Sequence, residues 1–211
     1  MKTPFSTEQF FGIFERYNTA VYPLQLTILI LGVLGVVLIH SRIKNNNSLL
    51  GGLLGLLWLW AGLVYHLSFF SSINQAAFGF GGIFILQGIF FLAETFRGRL
   101  EFSLEKKSWH FAGYFFIVFG LIIYPMISYI TAESAWHIIS LGLPCPTTIF
   151  TFGLLMLTSQ RFSRYLLIIP SLWAVIGTMA AVNFGVYQDY FMLFAAIVAN
   201  LYLIRRKKGV V

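Results

Sequence analysis

Seven apolar runs, separated by short polar breaks, make up most of this chain. They lie at about 20–41, 48–69, 77–96, 110–131, 145–160, 165–184 and 188–205. A helix needs roughly 20 apolar residues to cross about 30 Å of hydrocarbon, at about 1.5 Å per residue. The fifth run is the shortest. The pattern predicts an all-α fold, a bundle of seven transmembrane helices. One integral membrane domain covers residues 1–211, because no polar block is long enough for a separate soluble domain.

A different periodicity precedes the first run. Ser6 followed by Gln9 has the form of a capping box. Phe10, Phe14 and Tyr17 then recur at helical spacing, with Phe11 alongside and Glu8, Glu15 and Arg16 between them. Residues 6–18 read as a short amphipathic helix lying in the membrane interface. A plain lead-in to the first run is the alternative. Met1 to Asn18 lacks the continuous apolar core of a signal peptide.

The polar breaks carry the orientation. Arg42 and Lys44 follow run one, and Arg97, Arg99, Lys106 and Lys107 follow run three. Arg161 and Arg164 follow run five, and Arg205, Arg206, Lys207 and Lys208 follow run seven. Twelve of the 14 Lys and Arg thus fall on one side, and the alternate breaks hold none. By the positive-inside rule the C-terminus is cytoplasmic and the N-terminus outside, which supports a count of seven. The expected location is the cell inner (cytoplasmic) membrane, with lipid as the surrounding partner.

Composition agrees. The chain is 58% hydrophobic and 10% charged, with a mean hydropathy of +0.82. Soluble domains carry about 25% charge. The net charge of +7 belongs to topology signals rather than to nucleic-acid binding. The single cysteine, Cys145, cannot form an internal disulfide.

Small residues recur where helices would pack closely: Gly32, Gly35, Gly51, Gly55, Gly79, Gly81, Gly82, Gly113 and Gly120. An internal repeat is suggested by Leu59-Trp60-Ala61 and Leu172-Trp173-Ala174. Gln87 and Asn200 follow at equal distances, and Pro23 and Pro146 open runs one and five. Runs one to three would then repeat as five to seven, a 3+1+3 parallel arrangement seen in small transporters.

Polar residues inside the runs concentrate in their outer halves. Gln25, Tyr65, His66, Tyr124, Tyr129, Thr147, Thr148, Thr151 and Asn183 lie there. Gln87 sits near mid-depth, and Asn74, Gln75, Glu133, His137 and Asp189 lie in the outer breaks. Such groups are costly in a membrane and mark functional candidates. They predict a cavity open to the outside, roofed by the N-terminal helix. Its expected ligand-binding lining is Trp60, Tyr65, His66, Gln87, Tyr124, Cys145, Thr147 and Trp173. Wet helix ends with an aromatic belt are the plainer explanation.

Several chemistries fail on the residues. A seven-span bundle of this size resembles microbial rhodopsins, but every lysine lies outside the apolar runs, so no retinal Schiff base forms. No His-x-x-x-His or Cys-x-x-Cys spacing is present, and no Gly-x-Ser-x-Gly elbow. Asp189 is the sole aspartate, which excludes an intramembrane aspartyl pair. The layout is similar to three-plus-one-plus-three sugar transporters, whose Pro-Gln pair is absent.

Ser6-Thr7-Glu8-Gln9-Phe10-Phe11, Leu57-Trp58-Leu59-Trp60, Val64-Tyr65-His66, Pro144-Cys145-Pro146-Thr147-Thr148-Ile149-Phe150 and Ile169-Pro170-Ser171-Leu172-Trp173-Ala174 resemble an uncharacterised bacterial membrane family. It is known as the domain of unknown function 6064. The resemblance implies a bacterial multi-pass protein and carries over no activity.

Three functions stay open. The first is binding or transport of a small, uncharged or amphipathic solute. The second is a membrane-embedded enzyme or a metal- or cofactor-binding redox protein using His66 and Cys145. The third is a non-catalytic assembly partner. Catalytic residues, cofactors and oligomeric state are not assigned by these patterns, and no metal set is.

Overall fold

The computed structural model describes residues 4–41, 43–102, 109–132, 134–159 and 163–205. Of the residues discussed above, Lys2, Arg42, Lys106, Lys107, Glu133, Arg161, Arg206, Lys207 and Lys208 lie outside these stretches. Among the described residues the regular elements are helices, with two isolated bridges and no strand.

Helix α1 (Thr7–Val21) opens on the expected capping box. Ser6 and Gln9 exchange side-chain and backbone hydrogen bonds. Its buried face includes Phe10, Phe14 and Tyr17. Helix α2 (Leu24–His40) leaves it at 87°. Pro23, which has no N–H to continue the ladder, stands at the corner. An amphipathic helix thus lies across the end of a bundle of uniformly apolar ones.

Helix α3 (Asn46–Trp60) runs on as a π-helical stretch, Ala61–Phe69, and α4 (Ala76–Phe96) returns beside it. The pair packs backbone to backbone. A Cβ on Gly55 would lie 3.3 Å from the Gly88 carbonyl oxygen, and one on Gly62 3.0 Å from that of Gly81. In lipid, apolar faces gain little from burial against each other, so close approach is what holds helices together. Gly79 and Gly82 meet nothing within 4 Å and do not serve this packing.

Helices α5 (His110–Val118) and α6 (Tyr124–Thr131) form one rod through a π-helical stretch, Phe119–Ile123. Pro125 accounts for the widened turn. It cannot donate to the Leu121 carbonyl, and its ring crowds that oxygen.

Helix α7 (Pro144–Met156) departs from expectation. With 13 residues it is about 20 Å long, too short for a full crossing. All of Pro146–Met156 is buried, packed among α3, α5, α8 and α9. It is a central post rather than a lipid-facing span. Helices α8 (Ile168–Phe184) and α9 (Tyr190–Arg205) complete the bundle, entered through 3-10 turns at Arg164–Leu167 and Tyr187–Asp189.

Among the described residues five helical rods are long and apolar enough to cross a membrane, and the bent α1–α2 pair would make a sixth. The residues that suggested a repeat occupy unlike places. Trp60 ends α3 against α1, whereas Trp173 lies within α8. Pro23 precedes α2, whereas Pro146 lies inside α7.

The bundle's two ends differ. At the basic end, Glu94 is fully buried. It accepts a hydrogen bond from Arg97 at 3.1 Å and one from Ser163, with Arg99 at 3.9 Å. Nearby, Asn47 receives the Phe102 N–H at 2.9 Å, and Glu101 binds Ser159. The opposite end is aromatic.

Candidate functional site

Helix α1 roofs the aromatic end. Phe10 stacks on Phe184 at 4.4 Å between ring centroids, and Phe14 stacks on Tyr65 at 6.0 Å. Trp60 donates its indole N–H to the Tyr17 hydroxyl at 2.8 Å. Asn18 donates to the carbonyls of Trp136 at 2.5 Å and Ile138 at 2.8 Å, and accepts from Gln25. Burial pushes the Tyr17 phenol up to about 12, partly offset by the Trp60 hydrogen bond. The Tyr17 clip therefore stays neutral at ordinary pH, as do the Asn18 bonds.

Beneath this roof lies a cavity of about 220 Å³. That exceeds the ~150 Å³ void that admits benzene in an engineered core. Many of its walls are rings: Phe5, Phe10 and Phe14 from the N-terminal segment, then Tyr65, Phe70, Phe80, Trp173 and Phe184, with aliphatic side chains and the amides of Asn74 and Asn183 among them. Polarity gathers at one end. There the Tyr124 hydroxyl donates to the Asp189 carboxylate at 2.5 Å, and the Cys145 thiol lies beside the same carboxylate. The Trp173 indole N–H is turned toward the thiol without a partner of hydrogen-bonding geometry.

Local backbone explains how these groups meet. The π-helical stretch in α3 turns two successive side chains inward, so Tyr65 and His66 are both buried. The second π-helical stretch ends just before Tyr124. Such widened turns often occur at functional sites. Cys145 lies in the first turn of α7, opened by Pro144. Asp189 ends the short turn that starts α9.

Of the eight residues expected to line a cavity, Tyr65, Tyr124, Cys145 and Trp173 border this one. The other four do not. Trp60 is turned to Tyr17, clipping the roof from outside the chamber. Thr147 accepts the Gly142 N–H at 3.0 Å and braces the turn into α7. Gln87 donates to the Leu166 carbonyl at 3.0 Å, tying α4 to the segment leading into α8. His66 is enclosed by the rings of Tyr65, Phe70, Phe80, Phe84 and Trp173. Neither of its ring nitrogens has a partner among the described residues. Thr148 and Thr151 bind carbonyls one turn back in α7, and Thr151 also receives the Trp58 indole at 2.9 Å.

The walls from Phe5, Phe10, Phe14, Phe70, Phe80 and Phe184 were not in that set, nor were two polar contributors. Asp189 supplies the carboxylate, and Asn18 anchors the roof. The available signal for Asp189 was that the chain's only aspartate stands in a break without basic residues. Among the described residues no group of three His, Cys, Asp or Glu is placed to hold a metal. His66 and Cys145 share Trp173 as a neighbour, one against its ring and the other near its N–H.

Comparison with known proteins adds one identification. No match was found among curated proteins or among solved structures. The model of a family of unknown function, DUF6064, matches residues 7–210. That match spans nearly the whole chain, so the chain belongs to the family DUF6064.

Proposed function

We propose that this is a multi-pass inner-membrane protein that binds, and in that way transports, a small amphipathic solute in an outward-facing aromatic chamber. The basic end would face the cytoplasm and the roof helix α1 would lie in the outer interface. Seven passages, the fifth made by the α7 post together with the buried segments at its two ends, would keep the N-terminus outside and the C-terminus inside. The charge alternation in the sequence supports that orientation. The observation that carries the reading is the chamber of about 220 Å³, apolar on its walls and polar at one end. Pockets of this kind, largely apolar with a few convergent polar groups, are the usual form of small-molecule sites.

Cys145 is the only cysteine and borders the chamber, so it reports on entry without engineering. In right-side-out membrane vesicles a small maleimide added outside should modify it. Loosening the roof with Phe10→Ala should speed that reaction about tenfold, the equivalent of roughly 1.4 kcal/mol in opening. Modification only after unfolding, in both proteins, would refute the reading. A stoichiometric metal in elemental analysis of the gently purified protein would replace it with a redox role.

A further inference from the structure

The chamber's polar end is chemically one-sided. Asp189 is fully enclosed, yet its partners are the neutral Tyr124 hydroxyl and Cys145 thiol. Among the described residues no Lys, Arg or His pairs with it. A carboxylate with one hydroxyl donor and a thiol beside it keeps acceptor capacity to spare, because its two oxygens offer about four lone-pair sites. An unpaired buried charge is costly, and either a proton or an opposite charge relieves it.

The same protein shows the alternative at its other end. Glu94 is equally enclosed, and there the chain supplies its own guanidinium groups, Arg97 and Arg99. Near Asp189 the chain supplies rings instead. Tyr65 and Tyr124 are close enough to interact electrostatically with its carboxyl group, and Phe80 and Trp173 border the same space. Ring faces carry partial negative charge and attract cations, quaternary ammonium groups above all. A carboxylate bordered by aromatic side chains, with no basic side chain, disfavours anions and suits a positive charge on an apolar body.

Building on the solute-binding reading above, we propose that the chamber's ligand is a small organic cation. Its alkylated ammonium group would stand against Asp189 among Tyr65, Tyr124 and Trp173. Its apolar part would extend toward Phe10 and Phe184 under the roof.

Cys145 borders the chamber beside Asp189, so its modification rate reads the charge preference at the site. Two methanethiosulfonates would be compared in the full-length protein, one carrying an ethyltrimethylammonium group and one a neutral ethyl group. Each rate is divided by that reagent's rate with free 2-mercaptoethanol. The cationic-to-neutral ratio should be about 10 or more in the natural protein, since 1.4 kcal/mol of attraction is a factor of ten. In Asp189→Asn it should fall to about 1. Taking the ratio removes any general change in thiol reactivity. Choline should protect Cys145 from the neutral reagent, and its uncharged isostere 3,3-dimethylbutan-1-ol should protect at least tenfold less well.

Equal protection by choline and the alcohol, with a ratio near 1 in the natural protein, would overturn the cation assignment and leave the chamber reading standing. No reaction with either reagent in the folded protein would overturn both. A ratio that stays near 10 in Asp189→Asn would remove Asp189 from the site. Where Asp189→Asn does not fold, the choline comparison on the natural protein decides alone.

Discussion

Glu94 and Asp189 are both buried carboxylates at the ends of helices, and the chain treats them in opposite ways. Glu94 is closed in by two arginines and a serine at the basic end. Asp189 is closed in by a phenol, a thiol and rings beneath a removable roof. The first arrangement is complete within the protein and holds elements together. The second is complete in its packing and incomplete in its charge. The contrast separates a structural carboxylate from one available for recognition, using the same chemical group.

The largest effect that would test this contrast comes from removing each charge in turn. Glu94→Gln should lower stability by about 2 kcal/mol, because charge-assisted hydrogen bonds are lost. The full cost of breaking a buried pair, about 3–5 kcal/mol, does not apply, since Arg97 and Arg99 are 58% and 62% exposed and regain water. Asp189→Asn should leave the unliganded melting temperature unchanged or raise it, because the amide still accepts from Tyr124 and no cation is orphaned. Both are read by thermal unfolding in detergent. Equal losses in the two variants would erase the distinction.

A smaller effect concerns what keeps the roof down. Asn18→Ala leaves the Trp136 and Ile138 carbonyls without their amide donor and should cost about 1.5 kcal/mol. Cys145 modification should accelerate roughly tenfold, with the Glu94 cluster untouched. The smallest belongs to the other clip. Trp60→Phe removes the hydrogen bond to Tyr17 and should cost about 1 kcal/mol, raising the modification rate about fivefold. Because both clips are neutral, these rates should not change between 50 mM and 500 mM salt. A strong salt dependence would assign roof closure to the contact between exposed Glu15 and half-buried His137, 3.4 Å apart.

Much of this architecture is legible in the residue pattern, for reasons that differ by element. Helix α1 is readable because one face is buried against the bundle and the other is exposed, so burial imprints a period on Phe10, Phe14 and Tyr17. Helix α7 is legible as an apolar run but not as an enclosed post, because such a run looks the same whether its neighbours are lipid or protein. Only the fold shows it to be enclosed. The site is half legible for a related reason. A polar group within an apolar run announces that it needs a partner, not which one. Gln87 found a backbone carbonyl and Trp60 a phenol, whereas Tyr124 found a carboxylate. Asp189 could not be placed in advance because its contact with Tyr124 joins residues 65 positions apart. That contact depends on how α6 and the turn before α9 rotate, which no local pattern records.

The post formed by α7 has a further consequence, in how freely this sequence can drift. Outer helices such as α2 present Leu26, Ile30, Val33 and Val37 to the surroundings, where one greasy side chain serves as well as another. The post has no such free face. Gly113 and Gly153 touch through their backbones, and a Cβ on Gly153 would lie 2.7 Å from the Gly113 oxygen. Every position along its length is answerable to a neighbour, so the short helix least able to span a membrane is the one whose spelling is most tightly held.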